Sequence, residues 1–297
     1  MKSHRLSLLK WILPPSFLYL LQSRSYFAQG MDVKKSIRGN TYFKAAYSGR
    51  RCFILATGPS VASQDLAGLA GEICFSAGEF YLHPDAPRIK PLFHVEAPNH
   101  VPYDFKLLRS VLGNIKKLYP HSPHLFLGNN GYSFSYSKLY AISPLAFGNN
   151  FTFLNYHIAP QLNEFNYLKS TIWDISRTLF AARTVVYSAI QIAAYMGFSE
   201  IYLLGCDHDY LIRFLNDSFQ DAHFYDDSLS VLSDSLADSS SYLKSFNLED
   251  WFGEYYFRWK EYRLMLTCLA LNGQRIYNAT DGGMLDVFPR ANLLDLI

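Results

Sequence analysis

Apolar residues along the chain fall into short unbroken runs, with longer stretches of helical spacing between them. Residues 52–56, 73–77, 91–95, 125–128, 201–205 and 274–278 each read as a strand. Most of these runs lack polar alternation, which is the pattern of strands covered on both faces in a parallel sheet. Between residues 103 and 118, Phe105, Leu108, Val111, Leu112 and Ile115 recur on one helical face. Residues 184–196 carry a second helix, with Val185, Ser188, Ala189, Ile192, Ala193 and Met196 on a face of small and apolar groups. Gly197 stops that helix, and the chain turns into the 201–205 strand. A third helix, dense in Tyr, Phe and Trp, covers residues 251–271 and ends at Asn272-Gly273.

Two stretches have no steady period. Residues 129–155 are expected to form loops and short strands over the sheet edge, or a small insertion, and residues 228–245 a mobile loop. Together the pattern predicts an α/β fold: a Rossmann-like, mostly parallel sheet with helices on both faces and a loop-rich lid. No repeat or linker divides residues 31–297, which are read as a single domain.

Residues 1–30 are treated separately. Residues 6–21 are apolar and flanked by Lys2, Arg5, Lys10 and Arg24, but Pro14-Pro15 break the run and leave neither half long enough to span a bilayer. With Trp11, Phe17 and Tyr19, the segment suits an interfacial helix in peripheral contact with a membrane; a helix packed on the body is the other reading.

At 297 residues, 49% apolar and 18% charged, the chain has a globular composition with enough length for a large core. Its net charge of +2 argues against a nucleic-acid partner that needs a strong basic field. Cys52, Cys74, Cys206 and Cys268 are widely spaced, as buried reduced thiols in the cytoplasm would be.

Candidate chemistry gathers where strands end. The first strand runs into Thr57-Gly58-Pro59-Ser60. There Gly58 lets a ligand approach the main chain, Pro59 stiffens the turn and Ser60 can cap the helical turn after it. The turn suits a phosphate or nucleotide, although a plain strand-to-helix link has the same composition. The 201–205 strand ends in Gly205-Cys206-Asp207-His208-Asp209-Tyr210. Asp207 sits where an open parallel sheet presents its ligand crevice and can accept from a ribose or base. Alternatively it caps the next turn, or it joins Asp209 in holding a divalent metal.

Downstream, His223 stands among Asp221, Tyr225, Asp226 and Asp227, placed to take a proton from an acceptor hydroxyl. His208 is the rival base, and a plain surface loop accounts for the same residues. Asn278 and Thr280 lead into Gly282-Gly283, a third cluster of backbone donors at the sheet edge, or simply a Gly-rich turn. The sequence has no P-loop lysine, no Gly-x-Gly-x-x-Gly, no zinc spacing and no Gly-x-Ser-x-Gly, which removes most support for kinase, dehydrogenase and serine-hydrolase readings.

Residues 52–60 (CFILATGPS), 197–210 (GFSEIYLLGCDHDY) and 276–283 (IYNATDGG) form one family pattern. The chain resembles the MptE-like proteins. More distantly it resembles the bacterial sialyltransferases of glycosyltransferase family 42, whose core the motility-associated factors share. The resemblance implies a Rossmann-like nucleotide-sugar-binding domain that takes a CMP-linked donor, uses a histidine base and requires no metal cofactor. Carried over, Thr57, Gly58, Pro59 and Ser60 meet the donor, with Arg183 and Thr184 nearby; Tyr210 supports the leaving phosphate and His223 is the base. Gly205, Asp207, Asn278 and Thr280 complete the expected donor site.

The implied function is glycosyl transfer, of a nonulosonic acid for example, from a nucleotide donor to a glycan or glycolipid acceptor in surface-polysaccharide assembly at the inner membrane face. The MptE branch implies a different reaction, diphosphate transfer from ATP, with Mg²⁺ held by Asp207 and Asp209. A non-catalytic nucleotide-binding scaffold is the third reading.

Overall fold

A computed structural model of the chain describes residues 37–96, 104–129, 135–156, 173–179, 183–216, 222–231 and 246–297. Residues 1–36, and with them the apolar, basic segment, lie outside the described residues, as does most of the 228–245 stretch.

The strands are β1 (Arg51–Leu55), β2 (Cys74–Ala77), β3 (Phe93–Glu96), β4 (His124–Asn129), β5 (Phe151–Tyr156), β6 (Thr178–Leu179), β7 (Glu200–Leu204) and β8 (Arg275–Asn278). They form one sheet in the order β6-β5-β4-β3-β2-β1-β7-β8, and every pairing between these strands is parallel. The helices are α1 (Ala86–Ile89), α2 (Phe105–Leu118), α3 (Tyr136–Ile142), α4 (Val185–Tyr195), α5 (Tyr210–Leu215) and α6 (Leu248–Leu271).

Alternation along the strands builds two cores. On one face Cys52, Ile54, Phe75 and Phe93 meet the small-residue side of α4 (Ala189, Ile192, Ala193) and Tyr262, Met265 and Leu269 of α6. On the other, Phe53, Leu55, Cys74 and Leu125 meet Leu108, Val111, Leu112 and Ile115 of α2. Both faces are therefore covered, as uninterrupted apolar strands require. All four cysteines are buried and free.

Residues 129–155, read as loops and short strands over the sheet edge or a small insertion, do hold a short strand, but it is paired within the sheet itself. Asn129 ends β4, Ser135 caps α3 by accepting from the Lys138 N–H, and residues 151–156 form β5 within the sheet. Phe153, Leu154 and Tyr156 of β5 are buried, and its aromatic residues and Thr152 suit a strand, although the Gly-, Asn- and Ser-rich chain before it does not. The two-residue β6 has no sequence signature at all.

The chain runs outward from β1 to β6, then crosses back to lay β7 on the other side of β1. The strand order thus reverses between β1 and β7, and the carboxyl ends of those two strands flank the crevice where open α/β sheets bind ligands. No helix among the described residues is long and apolar enough to cross a membrane.

Candidate functional site

Three turns lock together at this switch point. The Ala56 N–H donates to Leu204 O and the Gly58 N–H to Gly205 O, each at 2.9 Å, extending the β1–β7 contact beyond the strands. Asp207 then accepts from the Ser60 N–H at 3.2 Å and from Ser60 Oγ at 2.9 Å. The Asp207 carbonyl accepts from the Met284 N–H at 2.7 Å, which draws in the loop after β8. Burial raises the Asp207 carboxyl above its ordinary range, against the lowering effect of the Ser60 hydrogen bonds.

This geometry corrects the reason for Gly58. A Cβ there would lie 2.5 Å from Gly205 O and collide with the Asp207 carboxylate, so glycine is needed because the β7 turn packs against it, not a ligand. Gly205, at φ +68°, holds the matching position, where a Cβ would come within 2.6 Å of Ala56 O. Ser60 and Asp207 serve each other. Thr57, Gly58, Pro59 and Ser60 are only half-buried, so their outer surface still lines the crevice.

Asn278 and Thr280 are corrected in the same sense. The buried Asn278 amide donates to Leu285 O at 2.8 Å while its Oδ1 accepts from the Thr280 N–H at 3.0 Å. Thr280 Oγ1 accepts from the Cys206 N–H at 3.0 Å. Asn278 thus braces the β8 turn internally, and Thr280 fixes that turn against the β7 turn.

Asp207 and Asp209 interact electrostatically but take different hydrogen-bond partners, Ser60 and Arg213. Asp209 pairs with Arg213 of α5 at 2.8 Å, and among the described residues no three metal-ligating side chains gather. The Asp-x-Asp spacing here reflects two separate structural contacts. Arg183 and Thr184 also turn out to be engaged. Arg183 pairs with Glu254 at 3.0 Å and Glu261 at 3.2 Å and covers the Phe257 ring, and Thr184 caps α4 through the Val186 N–H at 3.3 Å.

His208 is buried, adopts φ +50° and faces Tyr262, with Nε2 2.7 Å from the Tyr262 hydroxyl. The Tyr255 hydroxyl donates to the His208 carbonyl at 2.6 Å. Burial, reinforced by nearby Arg258, lowers the His208 imidazole to about 3. Such a ring stays neutral and takes up a second proton poorly, and its contact with Tyr262 gives it a structural role in place of the rival-base reading.

Tyr210 is half-buried above the guanidinium of Arg258, 5.7 Å from ring centroid to Cζ, and Tyr255 flanks the same group at 5.9 Å. Arg258 Nε and Nη1 are buried without a hydrogen-bond partner among the described residues, and Nη2 lies 3.9 Å from Glu254. Sequence reasoning missed this arginine, because its neighbours on α6 (Tyr255, Trp259, Tyr262) make the whole helix read as core. Its guanidinium lies beside His208 and Tyr210, at the mouth of the β7 turn.

Residues 222–231 form a roof over the ends of β1 and β2. The Phe224 N–H donates to Thr57 O at 3.1 Å, and the Phe224 ring packs on Phe80 and His83. Buried Glu79, just after β2, accepts from the Val231 N–H and the Tyr81 hydroxyl, at 3.1 and 2.8 Å, and from the Ser230 hydroxyl. His223 stands in this roof with its ring stacked on Tyr225, centroids 5.0 Å apart. The roof joins the sheet edge through Glu79, a second residue that sequence reasoning did not single out.

No family model matches the chain, and no curated protein matches it. Among solved structures it is similar to the sialyltransferase CstII from Campylobacter jejuni in complex with a substrate analogue, cytidine-5'-monophosphate. The identity is 13%, the match covers 82% of this chain and 85% of that one, and the TM-score is 0.45. It is also similar to the sialyltransferase CST-II in complex with a trisaccharide acceptor and CMP, at 13% identity, 81% and 85% coverage and a TM-score of 0.44.

Proposed function

We propose that the chain is a glycosyltransferase that moves a sugar from a nucleotide donor to a glycan or glycoconjugate acceptor. The observation that carries this reading is the buried Arg258 guanidinium with two unpaired nitrogens, beneath Tyr210 at the switch point of a parallel sheet. Each orphaned buried donor costs about 1–3 kcal/mol, a cost that an anionic ligand offsets. A phosphate fits the forked donor geometry of arginine and the location.

In this reading the donor lies across the ends of β1 and β7, with Thr57, Pro59 and the outer surface of the Gly58 turn against it. The sugar extends toward β2 and β3 under the roof. An acceptor hydroxyl attacks the anomeric carbon in line, and the bond to the phosphate oxygen breaks. Arg258 and the Tyr210 hydroxyl stabilise the departing phosphate. The sequence blocks favour a CMP-linked nonulosonate as donor and surface-polysaccharide assembly as the setting. Residues 6–24 would then hold the protein at the cytoplasmic membrane face, near lipid-linked acceptors; vesicle co-sedimentation that is unchanged on deleting residues 1–30 would refute that placement. The diphosphotransfer reading of the MptE branch loses ground because Asp207 and Asp209 serve different partners.

A thermal-shift screen of CMP, CDP, UDP, GDP and ATP, each with and without Mg²⁺, tests the reading. Stabilisation by CMP or CDP without metal is the expected result. Stabilisation by ATP only with Mg²⁺ would replace it with diphosphate transfer, and no response to any nucleotide would refute nucleotide-dependent transfer and leave a scaffold that binds none of them.

A further inference from the structure

Beyond β1 and β7, the described sheet edge holds a buried hydrogen-bonded chain that the donor site does not use. Ser76 of β2 and His94 of β3 are register partners, and both are fully buried. Ser76 Oγ lies 2.8 Å from His94 Nδ1, and His94 Nε2 lies 3.0 Å from Glu96 Oε1. One tautomer that fits has the Nε2–H donating to Glu96 and the Ser76 hydroxyl donating to Nδ1, with the Phe93 carbonyl, 3.4 Å away, as a second acceptor for that hydroxyl. His94 and Glu96 are two residues apart on a strand, hence on one face, and Glu96 is the last residue of β3. Its side chain keeps 16% exposure, while that of His94 has none. A buried chain that ends in a partly open carboxylate at the ligand-binding edge of the sheet is an arrangement for handling a proton there.

Tyr81 links Glu96 to the roof. The Tyr81 hydroxyl, bound to Glu79 at 2.8 Å, interacts electrostatically with Glu79, Glu96 and Tyr225. Tyr225 carries the stacked His223. From the α2 side, Tyr119 packs against the His94 ring at 5.6 Å and is also in electrostatic contact with Glu96. Among the described residues, the titratable groups that interact with Glu96 are thus His94 of β3, Tyr81 following β2 and Tyr119 following α2, and Tyr81 in turn interacts with Glu79 and with Tyr225 of the roof.

We infer that Glu96 is the base that receives the proton of the acceptor hydroxyl, with His94 as its positioning residue and Ser76 fixing the His94 tautomer. The inference rests on the glycosyltransferase reading and identifies the acceptor side of that site. In the step, the acceptor O–H proton passes to a Glu96 carboxylate oxygen as the acceptor oxygen bonds to the anomeric carbon. The bond from that carbon to the phosphate oxygen breaks, and its electron pair leaves on the nucleotide. The proton later leaves Glu96 to solvent, so the step needs no oxidant, reductant or further reactant.

The test uses the full chain, with a CMP-linked nonulosonate and a lactoside as probes. Glu96→Gln should lower kcat by about 10²–10⁴-fold, the usual contribution of general-base catalysis, while the Kd for CMP stays within about twofold. Glu96→Ala should show a similar loss that added formate partly reverses, an effect a merely structural carboxylate would not produce. His94→Gln should lower kcat less than Glu96→Gln and leave CMP binding unchanged. Turnover by Glu96→Gln within about threefold of wild type, or a tenfold loss of its CMP affinity, overturns the inference and leaves the transferase reading standing. Failure of the wild-type chain to bind CMP refutes both.

Discussion

Ser60 and Asp207, 147 positions apart in sequence, are joined by two hydrogen bonds, from the Ser60 backbone N–H and from its hydroxyl. This pair closes the turn after β1 onto the turn after β7 and so sets the shape of the crevice floor. It also explains why two segments that read as ligand loops hold each other instead.

Breaking that pair should therefore unfold before it disarms. Asp207→Ala leaves the Ser60 donors unsatisfied in a half-buried turn and should lower unfolding free energy by about 2–4 kcal/mol. Asp207→Asn, which keeps one acceptor, should cost about half as much. Gly58→Ala should be at least as damaging as Asp207→Ala, since its Cβ has no space between Gly205 O and the Asp207 carboxylate. Urea denaturation of the three variants checks the order.

His208 gives a pH dependence with a definite sign. Its imidazole is lowered from 6.5 to about 3 by burial and by Arg258. The unfolded chain binds the extra proton between those values, so the stability from burying the neutral ring is complete above about pH 6.5 and is lost as pH falls toward 3. The slope is about 1.4 kcal/mol per pH unit. His208→Asn, which tolerates the positive φ, removes this slope. The stability gap between wild type and variant should narrow by about 2 kcal/mol from pH 7 to pH 5. A gap that stays constant would show that His208 does not titrate this way.

The roof is held by Glu79. Replacing it with Ala removes the acceptor for Ser230, Val231 and Tyr81. With a net loss of about 1–3 kcal/mol, amide exchange at Phe224 and Val231 should accelerate roughly 5–150-fold. Strands β1 and β7 should keep their protection. Exchange measured by mass spectrometry separates this local release from global unfolding.

Much of the fold was legible because its strands are covered on both faces and so read as plain apolar runs. The unit from Thr184 to Leu204 was clearest, since small residues on one helical face, a stop glycine and a buried strand all agree. The place of β5 inside the sheet was not legible, because it follows a Gly-, Asn- and Ser-rich stretch and only its pairing with β4 shows where it lies. Within the site, strand ends could be found but side-chain direction could not. Arg183 and Thr280 are bound by partners more than 70 positions away, which sequence distance conceals, whereas Thr184 and Asn278 are turned to backbone groups within their own turns. Arg258 was hidden by the opposite circumstance, a charged residue inside an aromatic helix whose partner ring, Tyr210, lies 48 positions earlier. His94 and Glu96 did carry a signal, two ionisable residues alternating at the end of a buried strand.

In the proposed site, Arg258 receives the phosphate of a nucleotide at the β1–β7 crevice. The direct measurement is calorimetric titration of CMP into wild type and Arg258→Met, without metal, alongside the thermal midpoint of each unliganded protein. The account predicts that wild type binds CMP and that the variant binds at least about tenfold more weakly, the loss of charged hydrogen bonds worth about 1.5–3 kcal/mol. The unliganded variant should be no less stable than wild type, because it no longer buries unpaired donors. Equal affinity in the two proteins, or no CMP binding by wild type, would contradict the account.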